Sequence, residues 1–210
     1  ISFAIPGAGP HTISLGSQLP TITEAVSING YSQAGSSQNS APAFETINAD
    51  LRIILDGSII NGGSGLFFEG HSGSTVSGLI IYGFPGPAIT LSDLLPDGSH
   101  TITGNFFGTD GDSYLGSGGI AINSDGNTIG GPNPADRNIF VGGAIGLEPT
   151  GTNTLIQGNF VGTNASGSAI LGTGAQRNFI GIQSNQASNV TVLDNLISGS
   201  QIYGIEIAGN

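Results

Sequence analysis

Thr101-Ile-Thr-Gly-Asn-Phe-Phe-Gly-Thr-Asp110, followed after a polar run by Gly119-Ile-Ala-Ile122, is a passage that the chain repeats. Its first half returns as Thr154-Leu-Ile-Gln-Gly-Asn-Phe-Val-Gly-Thr-Asn164, and its second half as Phe179-Ile-Gly-Ile182. Each copy holds two or three short apolar segments parted by Gly, Asn and Asp turns, the signature of one rung of a repeat architecture.

Working outward, Thr75-Val76, Thr101-Ile102, Thr128-Ile129, Thr154-Leu155 and Thr191-Val192 open successive copies at steps of 26, 27, 26 and 37 residues. Middle segments follow at Leu79–Tyr82, Asn105–Phe107, Asn138–Phe140, Asn159–Val161 and Asn195–Ile197. Closing pairs recur as Leu66/Phe68, Ile89/Leu91, Ile120/Ile122, Ile145/Leu147, Ile180/Ile182 and Ile205/Ile207. Three strands per copy predict a three-sided coil, with inward residues including Ile102, Ile129, Leu155 and the closing pairs. Extra length at Asp110–Gly118, Gly130–Asp136 and Asn164–Gln176 fits loops projecting from turns, where a solenoid tolerates insertions. The asparagines before the middle strands suit tight left-handed corners, and stacked amides can bond from coil to coil.

The first thirty residues alternate with period two: Ile1, Phe3 and Ile5, then Ile13 and Leu15, each set on one face. Ser32 to Ala49, polar and holding Pro42 and an isolated Phe44, reads as a loop. Helix is the poorer fit, because Gly or Pro interrupts nearly every apolar stretch before a stripe of three turns can form.

Composition narrows the function classes. Glycine is abundant, with 37 of 210 residues, but no strict third-residue period exists and collagen is excluded. The three cations are Arg52, Arg137 and Arg177, against a net charge of −11. Nucleic-acid binding by clustered cations is therefore excluded, as is attraction to an anionic membrane surface. No apolar run approaches the ~20 residues of a membrane-spanning helix. Without cysteine there is no disulfide, thiolate metal site or thiol nucleophile. The chain opens directly on Ile1-Ser-Phe-Ala-Ile5, and we expect a segment of a longer protein.

Leu19-Pro-Thr-Ile-Thr23, Ser27-Ile-Asn-Gly-Tyr-Ser-Gln33, Gly104-Asn-Phe-Phe-Gly-Thr-Asp110 and Asn127-Thr-Ile-Gly-Gly131 with Arg137-Asn138 resemble the right-handed parallel β-helix repeats of large bacterial surface and secreted proteins. The resemblance covers essentially the whole chain. It implies an all-β, right-handed parallel β-helix of seven or eight coils over residues 1–210, with the architecture of the pectin-lyase-like superfamily. That superfamily includes polysaccharide lyases, hydrolases and epimerases besides adhesins and phage fibres. Similar proteins carry a capping helix before the first strand, and a chain opening on Ile1 without one is expected to be truncated.

Asp110 and Asp112 are the leading chemical candidates, since two carboxylates in a Gly-rich turn can ligate calcium through oxygen. They also resemble the paired aspartates of polygalacturonase-like glycosidases. The second copy carries Asn164, Ala165 and Ser166 instead, so the charge does not repeat and a solvated turn is the simpler reading. Arg137 and Arg177 each precede Asn after an insertion. A lyase-like base would need neighbouring calcium-binding aspartates, and the sequence points instead to loops tied down through backbone carbonyls. His11, His71 and His100 show no zinc spacing, and His100 holds a slot filled by Ser74, Asn127 and Asn153 in other copies. No Gly-x-Ser-x-Gly leads from strand to helix.

The expectation is thus a non-catalytic structural or adhesive segment of an extracellular or cell-surface protein, a rigid stalk or filament subunit without a required cofactor. The alternative is a polysaccharide-active or carbohydrate-binding β-helix, contacted through Asp110, Asp112, Tyr114 and Arg137. Thr21-Ile-Thr23 and Thr101-Ile-Thr103 also resemble the ladders of ice-binding solenoids, without their regularity. With both ends uncapped, the expected partners are further β-helix of the same chain or subunits stacked head to tail.

Overall fold

Because the apolar segments are short and bounded by Gly and Asn, they form short strands, none longer than six residues. The structure, a computed structural model, describes residues 1–92 and 98–209. Nineteen strands among them pair in parallel into three sheets. The opening sheet contains β2 (Ser27–Asn29), β5 (Thr75–Ser77), β8 (Thr101–Thr103), β11 (Thr128–Gly130), β14 (Leu155–Gln157) and β17 (Thr191–Leu193). The middle sheet contains β1 (His11–Ser14), β3 (Ile53–Asp56), β6 (Leu79–Tyr82), β9 (Phe106–Phe107), β12 (Ile139–Phe140), β15 (Phe160–Val161) and β18 (Leu196–Ile197). The closing sheet contains β4 (Leu66–Phe68), β7 (Ile89–Leu91), β10 (Ile120–Ile122), β13 (Ile145–Leu147), β16 (Ile180–Asn185) and β19 (Tyr203–Ala208). Coil two is β2-β3-β4, and coils three to seven repeat that order. Coil one is β1 flanked by single parallel bridges, Ser2 to Asn29 and Ile22 to Phe68. The chain is a parallel β-solenoid with three faces and about seven coils.

Register departs from the sequence expectation at two places. Thr128 pairs with Leu155 and Ile129 with Ile156, so Ile156 is the inward residue and Leu155 faces outward, half-buried. Thr154 instead fills the buried corner, where its Oγ1 donates to the Gly151 and Thr152 carbonyls. It is Thr154, not Asn153, that shares the slot of Ser74, His100 and Asn127. In the closing sheet Ile145 pairs with Ile182 and Leu147 with Ser184, leaving Ile180 opposite Tyr203. A two-residue slip keeps every side chain on its face, so alternation alone cannot detect it. Ile205 and Ile207 lie on the expected ladders, but β19 is the edge strand and they are 46% and 79% exposed. The segment Ile1–Ile5 makes one bridge rather than a strand, and Ile1 is exposed.

The lumen is filled by aliphatic and aromatic side chains from all three faces, stacked rung upon rung. Val76, Ile102, Ile129 and Ile156 line the opening face, and Ile89, Ile120, Ile145 and Ile182 the closing face. On the middle face Phe107 and Phe140 stack with centroids 4.5 Å apart.

A second apolar layer lies outside the middle sheet. Ile80, Phe106, Ile139 and Phe160 point outward in register and are buried. The doublets Ile80-Ile81, Phe106-Phe107, Ile139-Phe140 and Phe160-Val161 reflect this burial on both faces. The cover is the segment 33–50, read in sequence only as a loop, which crosses several coils as a strap. Asn39 Nδ2 donates to Pro134 O (2.8 Å), Ile47 N donates to Ala165 O (2.9 Å), and Ile47 is buried among the outer side chains.

Candidate functional site

The corner between opening and middle faces positions Arg137 and the asparagines singled out in sequence. At this corner the backbone passes through a left-handed residue, Gly104 (φ 63), Gly158 (φ 73) or Asp194 (φ 54), one position before the asparagine expected to adopt it. At Gly104 a Cβ would lie 2.7 Å from Ala135 O, so only glycine fits. The asparagine that follows is left free to stack. Asn105 Nδ2 donates to Asn138 Oδ1 (3.3 Å), Asn138 Nδ2 to Asn159 Oδ1 (2.9 Å), and Asn159 Nδ2 to Asn195 Oδ1 (3.0 Å). The same oxygens accept the backbone N–H groups of Asn105, Asn138 and Asn159.

Coil five turns this corner differently. A short 3-10 turn at Pro134–Asp136 is closed by Asp136 Oδ2, which accepts from Asn133 N and Nδ2 at 3.1 and 2.8 Å. It delivers Arg137 immediately before Asn138. Arg137 is only 5% exposed. Its Nε donates to Gly158 O (3.1 Å) in the next coil, its Nη2 donates to Pro42 O (3.3 Å) in the strap, and its guanidinium lies 5.3 Å from the Phe160 ring centroid. Burial lowers its proton affinity. Nη1 has no hydrogen-bond partner. Arg177 makes a similar bond at the corner between middle and closing faces of coil six, its Nε donating to Gly199 O at 2.9 Å. Both arginines therefore clamp adjacent coils through carbonyls.

A pocket of about 230 Å³ opens beside Arg137, walled by Phe44 of the strap and by Pro132, Gln157, Phe160 and Asp194 from three successive coils. Phe44 is 58% exposed and holds φ at 64°, unusual for a bulky residue. Gln157 Nε2 donates to Asp194 Oδ2 at 3.3 Å. Sequence reasoning singled out Arg137 alone of this group. The isolated apolar Phe44 within a polar loop was the available signal.

Asp110, Asp112 and Tyr114 lie on a different loop, closed by an antiparallel bridge between Thr109 and Tyr114. Asp110 Oδ1 accepts from the backbone N–H groups of Asp112 (3.0 Å) and Ser113 (2.7 Å), capping its own turn. Asp112 is exposed. Tyr114 lies against Gly142 and belongs to the outer apolar layer. No ion pair links this loop to Arg137; among the described residues the one ion pair is Arg52 with Asp50. The loop from Asn164 repeats the arrangement, with Thr163 bridged to Ile170 and Asn164 Oδ1 accepting from Ser168 N and Ala169 N.

Two further carboxylates are held below their usual range. Hydrogen bonds from the Thr152 hydroxyl, then the Asn153 amide, lower Asp125. Partial burial acts to raise Asp56, but bonds from Ser58, Tyr82 and Ser14 outweigh it. His71 and His100, which show no zinc spacing in sequence, meet with ring centroids 5.2 Å apart. His71 Nε2 lies 2.7 Å from Ser74 Oγ, and His100 Nδ1 accepts from Ser74 N (3.1 Å). Among the described residues no three His, Cys, Asp or Glu converge as a metal-ligand group, and no helix is long and apolar enough to cross a membrane.

No family model, no curated protein and no solved structure matches the chain.

Proposed function

We propose that this chain is a non-catalytic structural or adhesive segment of an extracellular or cell-surface protein, a rigid stalk or filament subunit on the pectin-lyase-like plan. The observation that supports this is where its polar side chains are engaged. Asn105, Asn138, Asn159 and Asn195 tie coil to coil, Arg137 and Arg177 bond backbone carbonyls of the next coil, and Asp110 closes its own turn. A stack bonded this way resists bending. Its edge strands, with Ile205 and Ile207 exposed, suit pairing with further β-helix of the same chain or with a subunit stacked head to tail.

Incubation with a panel of acidic and neutral polysaccharides is expected to release neither reducing ends nor unsaturated products. Products that disappear in Asp110→Asn or Arg137→Ala at an unchanged thermal midpoint would assign the polysaccharide-active alternative, with Asp110, Asp112, Tyr114 and Arg137 as contacts. Calcium is expected to leave the thermal midpoint unchanged. A rise abolished by Asp110→Asn would instead place calcium at Asp110 and Asp112.

A further inference from the structure

Arg137 has no ion-pair partner among the described residues. Its acceptors are two carbonyls and a ring face, and Nη1 has none. Burying a guanidinium in this state is unfavourable, because the charge loses water and one N–H pair loses its bond. The same residue lines a pocket of about 230 Å³. Phe44, more than half exposed and held at positive φ, lines it too. Bulky residues persist in that region where the surroundings hold them, and such strain gathers at ligand clamps. A buried guanidinium without an ion-pair partner and a strained, exposed aromatic thus line the same cavity.

The walls limit what fits. Phe44 and Pro132 offer flat apolar surface, which favours a planar body. Asp194 is already bonded by Gln157 and places one negative charge among the lining groups, which disfavours a dianion such as sulfate or a phosphate monoester. A neutral ligand would leave the guanidinium uncompensated. We propose that this pocket binds a small organic monocarboxylate with a planar apolar body, its carboxylate pairing with Arg137 and its body lying against Phe44. The site joins the strap to the corners of coils five, six and seven, so an occupant bridges parts of the chain far apart in sequence. The assignment stands independently of the stalk function.

The test is a titration of isotope-labelled protein with benzoate, followed by amide chemical shifts, beside benzamide as the neutral isostere and sulfate as the dianion. Saturable shifts should centre on residues 43–44, 131–137, 157–158 and 194. Benzamide should bind about tenfold more weakly or worse, the scale of losing a charge-assisted hydrogen bond. Phe44→Gly removes the aromatic wall and relieves the left-handed strain, so it should weaken benzoate several-fold without lowering the thermal midpoint. Arg137→Gln should erase the preference for benzoate over benzamide; if that variant does not fold, Phe44→Gly carries the test alone. Equal binding of benzoate and benzamide, sulfate binding tighter than benzoate, an unchanged affinity in Phe44→Gly, or no saturation would each overturn the proposal.

Discussion

Replacing Asn138 by alanine tests whether the amide ladder holds the coils together. Asn138 is fully buried in the middle of the ladder. Its Oδ1 accepts from the Asn105 backbone N–H at 2.9 Å, and its Nδ2 donates to Ile102 O at 2.8 Å and to Asn159 Oδ1 at 2.9 Å. The truncation strands one backbone donor and one backbone acceptor where water cannot reach. At roughly 1–3 kcal/mol for each buried group left unsatisfied, the loss is about 2–6 kcal/mol. Urea denaturation should show a lower midpoint at an unchanged slope, and the Asn105 amide should lose its protection against hydrogen exchange. Asn195→Ala is the internal control. Asn195 is only half-buried, so water can replace part of what its amide supplied and the loss should stay near ~1 kcal/mol. A loss below ~1 kcal/mol at Asn138, or equal losses at both positions, would show that the ladder is incidental to stability.

Core register gives a second test: Ile122→Ala and Ile156→Ala should each cost about 2–5 kcal/mol in denaturation, the range for a buried aliphatic truncation. Leu155→Ala should cost no more than about 1 kcal/mol, the scale of substitutions outside the core, and a larger loss than at Ile156 would restore the other register. Asp110→Ala should cost about 1 kcal/mol through the two backbone bonds its carboxylate accepts, whereas Asp112→Ala should leave the midpoint where it is. Because Asp125 is depressed in the fold, its contribution is present above the ordinary aspartate range and is lost as pH falls through the depressed value. Asp125→Asn should accordingly flatten the acid limb of the stability–pH curve, and an unaltered limb would place that titration elsewhere.

Much of the fold could be read from residues because each coil repeats the same local physics. The doublet Phe106-Phe107 after Gly104-Asn105 specifies corner, ladder and two-sided burial within four positions, and its echoes at Asn138 and Asn159 repeat the instruction. The failures have equally local causes. Thr154-Leu155 imitates Thr101-Ile102, yet the coil is one residue longer, and only the hydrogen bonds of Thr154 show that it lies in the corner. Ile180 and Ile182 both fit the closing ladder by alternation, and the extra length of β16 decides between them. The pocket was least legible, because its walls come from the strap and three coils. Nothing in the local sequence at Phe44 announces that Arg137, ninety-three residues later, lies beneath it.

The strap changes what kind of solenoid this is. In a simple repeat stack each coil touches only its neighbours, and an end coil can open without disturbing the rest. Here the segment between coil two's first two strands bonds Pro134 and Arg137 in coil five and Ala165 in the loop following the middle strand of coil six. Separating any pair of coils from two to six therefore strips the strap as well, exposing Phe106, Ile139 and Phe160 together with the lumen. Coils two to six are thereby joined into one cooperative body, whereas no strap hydrogen bond reaches coil seven among the described residues. Asp194, which belongs to coil seven, lines the same pocket as Phe44 of the strap. The pocket thus spans the seam between the strapped body and its last described coil, so a ligand held there would link coil seven to the segment that otherwise stops short of it.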